Sequence, residues 1–360
     1  MKIILLCLAA VFLALGCRDQ SAAPVPKESD APKNLLHLIL PSQGAYTGAY
    51  IDFGESEDDV TYEQIDLFEQ AVGKHQAIIA SSSYWGEQTF PSHNLEVIVR
   101  HNAIPLIYWS PWDRPYQQDL GPDRFSLDAI LAGTWDFYID SWAGQAKSFG
   151  RPIFVAWGLE MNGTWFPWSG YFYGGGKELG DNLFAGPELF KKAYRHVVDR
   201  VRAAGADNII WVFHVNNYSY PLDDWNDFKQ YYPGDAYVDW LAMSTYGKQF
   251  RHDPWISAFD AMTYAYDDLC SINPDKPVML AEWGIGEFPE SGNKASWISE
   301  AFQTMKTRFP RLKAAVYWNE RWQNDDGTYS NLRVTSSETA LEAYRKGVGD
   351  SFWVDRPTYR

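Results

Sequence analysis

Residues 152–168 read Pro152-Ile-Phe-Val-Ala-Trp157-Gly-Leu-Glu160-Met-Asn-Gly-Thr-Trp165-Phe-Pro-Trp168, and the change of character inside this stretch decides the fold. A short apolar run ends at glycine and an acid, and polar and aromatic residues follow, which is the pattern of a buried strand giving way to a loop. The same transition recurs at Pro277-Val-Met-Leu-Ala-Glu282-Trp-Gly284. Working outward, comparable apolar runs occur at Leu35 to Leu40, Ala77 to Ser81, Ile104 to Trp109, Asn208 to Val215, Val238 to Ser244 and Ala314 to Trp318. Amphipathic stretches separate them, near Tyr62 to Val72, Asn94 to His101, Leu127 to Ser148, Pro187 to Ala204, Trp255 to Cys270 and Lys294 to Arg308, with Ser337 to Lys346 after the last. The connection from Trp211 to Val238 shows no helical pattern. Strand and helix in alternation, with no antiparallel hairpin signal, predict an α/β protein, a single-domain (β/α)8 TIM barrel over residues 35–360.

The first residues read as an export signal. Lys2 supplies a short basic start, Ile3 to Gly16 carry no charge, and Leu13-Ala-Leu-Gly-Cys17 resembles a bacterial lipobox. The expected arrangement is a signal peptide over 1–16, a lipid on Cys17, and a Pro-, Ser- and Lys-containing tether over 17–34. This predicts an exported, membrane-anchored protein of the bacterial cell envelope, at the outer membrane or its periplasmic face. With Cys7 removed and Cys17 lipidated, Cys270 stands alone, so no internal disulfide is expected and stability must come from the core.

Net charge is −15 with no basic stripe, which excludes nucleic acid as a partner and argues against anionic polymers. A neutral partner is the natural expectation. Aromatic residues make up 16% of the chain, and flat apolar rings are surfaces on which the CH faces of sugars stack.

In a barrel of this kind, chemistry sits where strands end and the following loops begin. Glu160 and Glu282 end the fourth and seventh predicted strands, which face each other across the mouth. Two facing carboxyls suit glycosidic bond cleavage with retention, one protonated and one ionised, about 5–5.5 Å apart. Aromatics near Glu160 offer the desolvation that an acid requires. Glu287, Glu320, Asp52 and Asp113 rank below the pair because none directly ends a strand. His214 ends the fifth strand as either a ligand-facing or a structural residue. The histidines show no HxxxH spacing, and no nucleophile elbow, P-loop or dinucleotide fingerprint is present. No metal or organic cofactor is expected.

At these residues the chain resembles the family 26 glycoside hydrolases, which include β-mannanases, mixed-linkage β-glucanases and β-1,3-xylanases. The resemblance runs from about Gly44 to Trp353. It rests on Trp109-Ser-Pro-Trp112, Glu160-Met-Asn-Gly-Thr-Trp165, Tyr232-Pro-Gly-Asp-Ala-Tyr-Val-Asp-Trp240, Lys276-Pro-Val-Met-Leu-Ala-Glu282, Lys294-Ala-Ser-Trp297 and Trp318. It implies Glu160 as acid/base and Glu282 as nucleophile of a double displacement, with Tyr246 touching the nucleophile. Trp165 and Trp318 match aromatic walls near the cleaved bond, and Trp109 matches a residue lining the glycone side. Leu159 and Ala156 replace a histidine and an arginine usual in the family, so β-mannan and mixed-linkage β-glucan stand as equal candidate substrates of a monomeric endo-β-glycanase. Two other readings stay open, an exopolysaccharide-trimming glycanase and an inactive carbohydrate-binding lipoprotein.

Overall fold

The computed structural model describes residues 35–53, 59–115 and 121–360. The export signal, Cys17 and the tether, expected over 1–34, lie outside these described residues. Eight parallel strands form in chain order: β1 (Ala45–Ile51), β2 (Ile78–Tyr84), β3 (Ile104–Ser110), β4 (Ile153–Trp157), β5 (Ile209–Asn216), β6 (Trp240–Tyr246), β7 (Val278–Gly284) and β8 (Leu312–Asn319). Each pairs with its sequence neighbour, and β8 pairs back onto β1 with Tyr317 opposite Ala49, so the sheet closes. The (β/α)8 barrel expected from sequence is therefore present.

The connecting helices are α1 (Tyr62–Val72), α2 (Ser92–Arg100), α3 (Leu127–Leu131), α4 (Asp136–Phe149), α5 (Ala185–Ala203), α6 (Ala258–Thr263), α7 (Tyr266–Ile272), α8 (Lys294–Arg308) and α9 (Glu338–Val348). Local sequence starts several of them. Thr61, Ser126, Ser257, Asn293 and Ser337 each accept a hydrogen bond from a backbone N–H in the first turn, satisfying donors that the helix leaves free. Between sheet and helices lies an aromatic layer. Trp85, Trp109, Trp142 and Trp157 are fully buried there, with Trp109 and Trp142 stacked at 4.2 Å.

Four expectations are corrected. The run Leu35 to Leu40 is not the first barrel strand; Leu38 and Ile39 instead form a short antiparallel bridge to Thr358 and Tyr359. The true β1, Ala-Tyr-Thr-Gly-Ala-Tyr-Ile, is less hydrophobic but wholly buried, because small residues fit where two neighbouring strands crowd. The helix expected over Leu127 to Ser148 breaks into α3 and α4 around Gly133, whose φ of 77° no continuous helix accepts. The stretch Trp255 to Cys270 likewise divides, into α6 and α7. Two antiparallel hairpins, where none was expected, decorate the loops: Glu178–Gly180 with Leu183–Phe184, and Arg321–Gln323 with Tyr329–Asn331. The second turns at Asp326-Gly327, a hairpin signal present in the sequence.

The chain's last strand on this sheet, Trp353–Val354, extends it by pairing with the start of β1. Gly44 makes this possible. Its φ is 75°, and a Cβ there would lie 1.9 Å from the Phe352 carbonyl oxygen, which accepts a hydrogen bond from Ala45. Gly44→Ala is expected to lower unfolding stability by about 1–3 kcal/mol, as overpacking does, read as a lower urea midpoint with unchanged m-value.

Candidate active site

The alternation of side chains along β7 does not by itself point Glu282 into the barrel. Leu280 pairs with Met243 and Ala315, and Trp283 pairs with Thr245 and Tyr317. Trp283, Tyr317 and Thr245 all face the helix layer, where Trp283 packs on Phe302 and Tyr344 and Thr245 bonds the Ala261 carbonyl. An uninterrupted strand would place Leu280 and Glu282 on that same outer side. The register instead slips between Leu280 and Glu282, adding one residue at Ala281. This bulge reverses the parity and turns Glu282 inward, opposite Ser244. The Ala281 carbonyl accepts a 2.8 Å hydrogen bond from the buried Tyr108 hydroxyl.

Glu160 reaches the same space differently. It follows β4 by three residues and has φ of 51°, a left-handed conformation that is costly for a glutamate. Its backbone N–H donates to the His214 carbonyl at 2.8 Å, and its own carbonyl accepts from Gly163. The carboxylate receives Trp165 Nε1 on one oxygen at 2.7 Å and Asn216 Nδ2 on the other at 3.0 Å. Gly163 permits the first contact, since a Cβ there would fall 2.4 Å from the Trp165 ring. Asn162 brackets Asn216 by accepting from its N–H and donating to its carbonyl, and Tyr218 N–H orients the Asn216 amide.

The two carboxyls share an environment. Glu160 and Glu282 are each 7% exposed. Burial pushes the Glu160 carboxyl up, against hydrogen bonds from Ser244, Trp165 and Asn216. Burial and then the charge of Glu160 push Glu282 well above the usual carboxylate range, against the hydrogen bond donated by Tyr246 at 2.6 Å. Whichever carboxyl ionises first raises the other, so the pair retains one proton over a wide pH span. The Ser244 hydroxyl interacts with both. Ser244 is held in turn by His214, whose Nε2 lies 2.7 Å from Oγ. Burial lowers the His214 pKa to about 3, so this ring is neutral and acts as a support.

Around the pair runs a cleft of about 1530 Å³, walled by Trp112, Leu159, Trp165, Phe166, Phe250 and Trp322. Trp318 lies at its floor, stacked on Tyr50 at 3.8 Å, with its indole N–H donating to Glu320 at 2.8 Å. Glu320, ranked below the pair on sequence, also lines the cleft; burial raises its pKa to about 7. Asp52 instead pairs with Arg333, and Asp113 with Arg124 at 2.5 Å. Glu287 accepts from Ser336 and Ser337. The hairpin carrying Trp322 is tied to the loop after β6 by Ser330 donating to the Gln249 carbonyl, and the buried Lys294 ammonium caps the carbonyls of Asn331 and Arg333.

Of the residues predicted from sequence, Glu160, Glu282, Trp165, Tyr246 and Trp318 meet in this cleft. Trp109 does not. It is fully buried, donates its indole N–H to Tyr138 and stacks on Trp142 in α4. On β3 it is Tyr108 that faces inward, and alternation sends the next residue outward. Asn216 and Ser244 were missed as partners of the carboxylates, although they stand at strand ends like the residues that were found, and Tyr108 was missed as the donor to the Ala281 carbonyl. Ala156 sits opposite Tyr108 in register and shares its inward face.

A closed barrel whose mouth holds two coupled carboxyls among aromatics is an architecture shared by many glycoside hydrolases. The sequence profile of glycosyl hydrolase family 26 matches residues 135–328, and the chain belongs to this family. It is 30% identical over 312 residues to Endoglucanase H of Acetivibrio thermocellus, covering 86% of this chain and 31% of that protein. It is 28% identical over 163 residues to mannan endo-1,4-beta-mannosidase A and B of Caldalkalibacillus mannanilyticus, covering 45% of this chain and 27% of that protein. The chain thus spans less than half the length of the curated relatives it matches. A Bacillus subtilis mannanase of known structure shares the fold, with a TM-score of 0.60, 19% identity and 88% of each chain covered.

Trp109→Phe is expected to lower the melting temperature, through loss of the Tyr138 hydrogen bond and of stacking area, while KM for any glycan stays unchanged. Calorimetry beside steady-state kinetics separates the two effects, and a raised KM at wild-type stability would return Trp109 to the cleft.

Proposed function

We propose that this chain is a retaining endo-β-glycanase acting on a neutral β-1,4-type polysaccharide, β-mannan or mixed-linkage β-1,3-1,4-glucan, with Glu160 as acid/base and Glu282 as nucleophile. The observation that carries this reading is the pair of buried, electrostatically coupled carboxyls lining one aromatic cleft. After burial, the charge of Glu160 is the largest influence on Glu282, so the two carboxyls stand close together. Close carboxyls favour retention, in which the two stand about 5–5.5 Å apart, over inversion, which needs about 6.5–9.5 Å to admit a water. The cleft is larger than the roughly 300–1,000 Å³ of a small-molecule site, which favours several sugar rings over one. Its charged lining is mainly acidic, as Asp253, Asp325 and Glu320 join the pair, and this supports a neutral substrate. The names of two relatives, an endoglucanase and a mannan endo-1,4-beta-mannosidase, agree with both candidate polymers.

In the first step protonated Glu160 gives its proton to the glycosidic oxygen as a Glu282 oxygen attacks the anomeric carbon. The bond to the leaving sugar breaks, leaving a glycosyl ester on Glu282 and a carboxylate at Glu160. Trp165 and Asn216 then stabilise that carboxylate through one oxygen each. In the second step Glu160 takes a proton from water, the water oxygen bonds to the anomeric carbon, and Glu282 departs as a carboxylate. Two inversions restore the starting configuration. Tyr246, whose phenol burial holds well above its ordinary pKa, stays protonated and donates to Glu282 when it is charged. Leu159 offers the sugar beside the acid an apolar contact in place of a hydrogen bond. The protein works as a monomer exported to the cell envelope, on this reading, with lipid on Cys17; the support is the lipobox-like Leu13 to Cys17.

Proton NMR of the first product from mannan and mixed-linkage glucan oligosaccharides is expected to show the β-anomer. Glu282→Ala is expected to abolish turnover; full activity in this variant, or no reducing sugar from either polymer with folded wild-type protein, would overturn the proposal. Tyr246→Phe is expected to lower kcat/KM by about 10- to 100-fold, the worth of a hydrogen bond to a charged group.

The pH profile is set by the shared proton. Activity falls at low pH as the pair takes up its second proton and at high pH as it loses the one it shares, a loss that burial shifts upward. Glu160→Gln has no proton to lose. On a dinitrophenyl glycoside, which needs no acid assistance, the pre-steady-state burst of this variant is expected to keep its acid limb and lose its alkaline one.

A further inference from the structure

At the opposite end of the barrel from the cleft, three side chains from separate elements converge. Glu69 comes from the last turns of α1, His75 from the turn leading into β2, and His101 from the C-terminal end of α2 just before β3. Their potential ligand atoms all lie within 4.8 Å of one another. The imidazole centroids are 4.8 Å apart. The side chains are only 12–14% exposed, so this is an enclosed group and not a surface charge cluster.

Two observations separate it from an ordinary ion pair. His101 Nε2 is 3.1 Å from a Glu69 oxygen, yet among the described residues it is buried without a well-aligned hydrogen-bond partner, because the ring N–H direction misses that oxygen. His75 Nδ1 lies 3.0 Å from the other Glu69 oxygen, so that carboxylate orients the ring, and its buried Nε2 has no partner among the described residues. An imidazole whose carboxylate-bonded nitrogen orients the other for coordination is a recurrent arrangement around zinc.

We propose that Glu69, His75 and His101 bind a divalent transition-metal ion, zinc by preference, as a structural site joining the first two βα units. A tetrahedral ion with zinc-like bond lengths sets neighbouring donors about 3.3 Å apart, close to the 3.1 Å between His101 Nε2 and Glu69. A modest rotation of the imidazoles closes the remaining spread, and water completes the shell. Two imidazoles and one carboxylate exclude calcium and magnesium, which take oxygen donors, and suit zinc. The ion takes no part in glycan cleavage, because it lies at the N-terminal ends of β2 and β3, the face of such barrels concerned with stability.

The test uses chelator-treated full chain. Isothermal titration with zinc chloride is expected to show one ion per chain, the melting temperature is expected to rise with zinc concentration, and cobalt(II) is expected to give visible bands of four-coordinate geometry that zinc displaces. His101→Asn and Glu69→Gln are expected to lose binding and the thermal shift while glycanase activity at 25 °C is unchanged. Should these variants not fold, the cobalt spectrum of the native chain decides alone. Absence of stoichiometric binding to the native protein, or an equal thermal shift in folded variants, would overturn the proposal.

Discussion

The site depends on which way each barrel residue faces. In a closed sheet, neighbouring side chains alternate between a filled interior and a helix layer, and the choice is fixed by pairing with both adjacent strands. Seven hydrogen-bonded pairs plus the β8 to β1 closure leave β7 no freedom to rotate. The inward turn of Glu282 is therefore obtained locally, by one extra residue at Ala281. Its carbonyl is caught by Tyr108 from β3, so the deviation is supported from across the barrel. Glu160 obtains its direction by a left-handed backbone after the strand has ended. The two acids thus reach one point by unlike local irregularities on an otherwise regular frame.

The consequence of that convergence is electrostatic. Among the described residues, the partners of the two carboxyls are a hydroxyl, a phenol, an amide and an indole, all neutral. Neutral donors stabilise a carboxylate without tying up its charge in an ion pair, so the proton can be passed on. Glu320 adds a third buried acid whose pKa of about 7 responds to Asp52 and Arg333 as well as to burial. The cleft's negative potential thereby increases with pH, in a direction that disfavours ionisation of Glu282.

The positions of seven barrel strands and the ends of α1 and α8 were legible because apolar runs and amphipathic periodicity are local signals. β1 was not, since its burial is imposed by neighbours and its composition is modest. The sequence reading took Glu160 and Glu282 from the strand-end rule and Tyr246, Trp165 and Trp318 from the family resemblance, and all five line the cleft. It misplaced Trp109, because an aromatic run such as Tyr108-Trp109 does not reveal which ring faces inward. It passed over Asn216 and Ser244, small polar residues whose importance comes only from what stands opposite. The Glu69, His75 and His101 group has no helical ligand spacing, so only the folding of α1 and α2 against the barrel bottom brings it together.

The hairpin formed by Arg321–Gln323 and Tyr329–Asn331 supplies Trp322, Gln323, Asn324 and Asp325 to one wall of the cleft. Lys294 and Ser330 fasten it near its base, away from the Asp326-Gly327 turn. Chain inserted at that turn would lengthen the wall without disturbing any barrel strand pairing or either acid. Evolution within this fold can therefore alter how many rings of a polymer are gripped by changing a single turn, while the bond-breaking apparatus below is inherited intact.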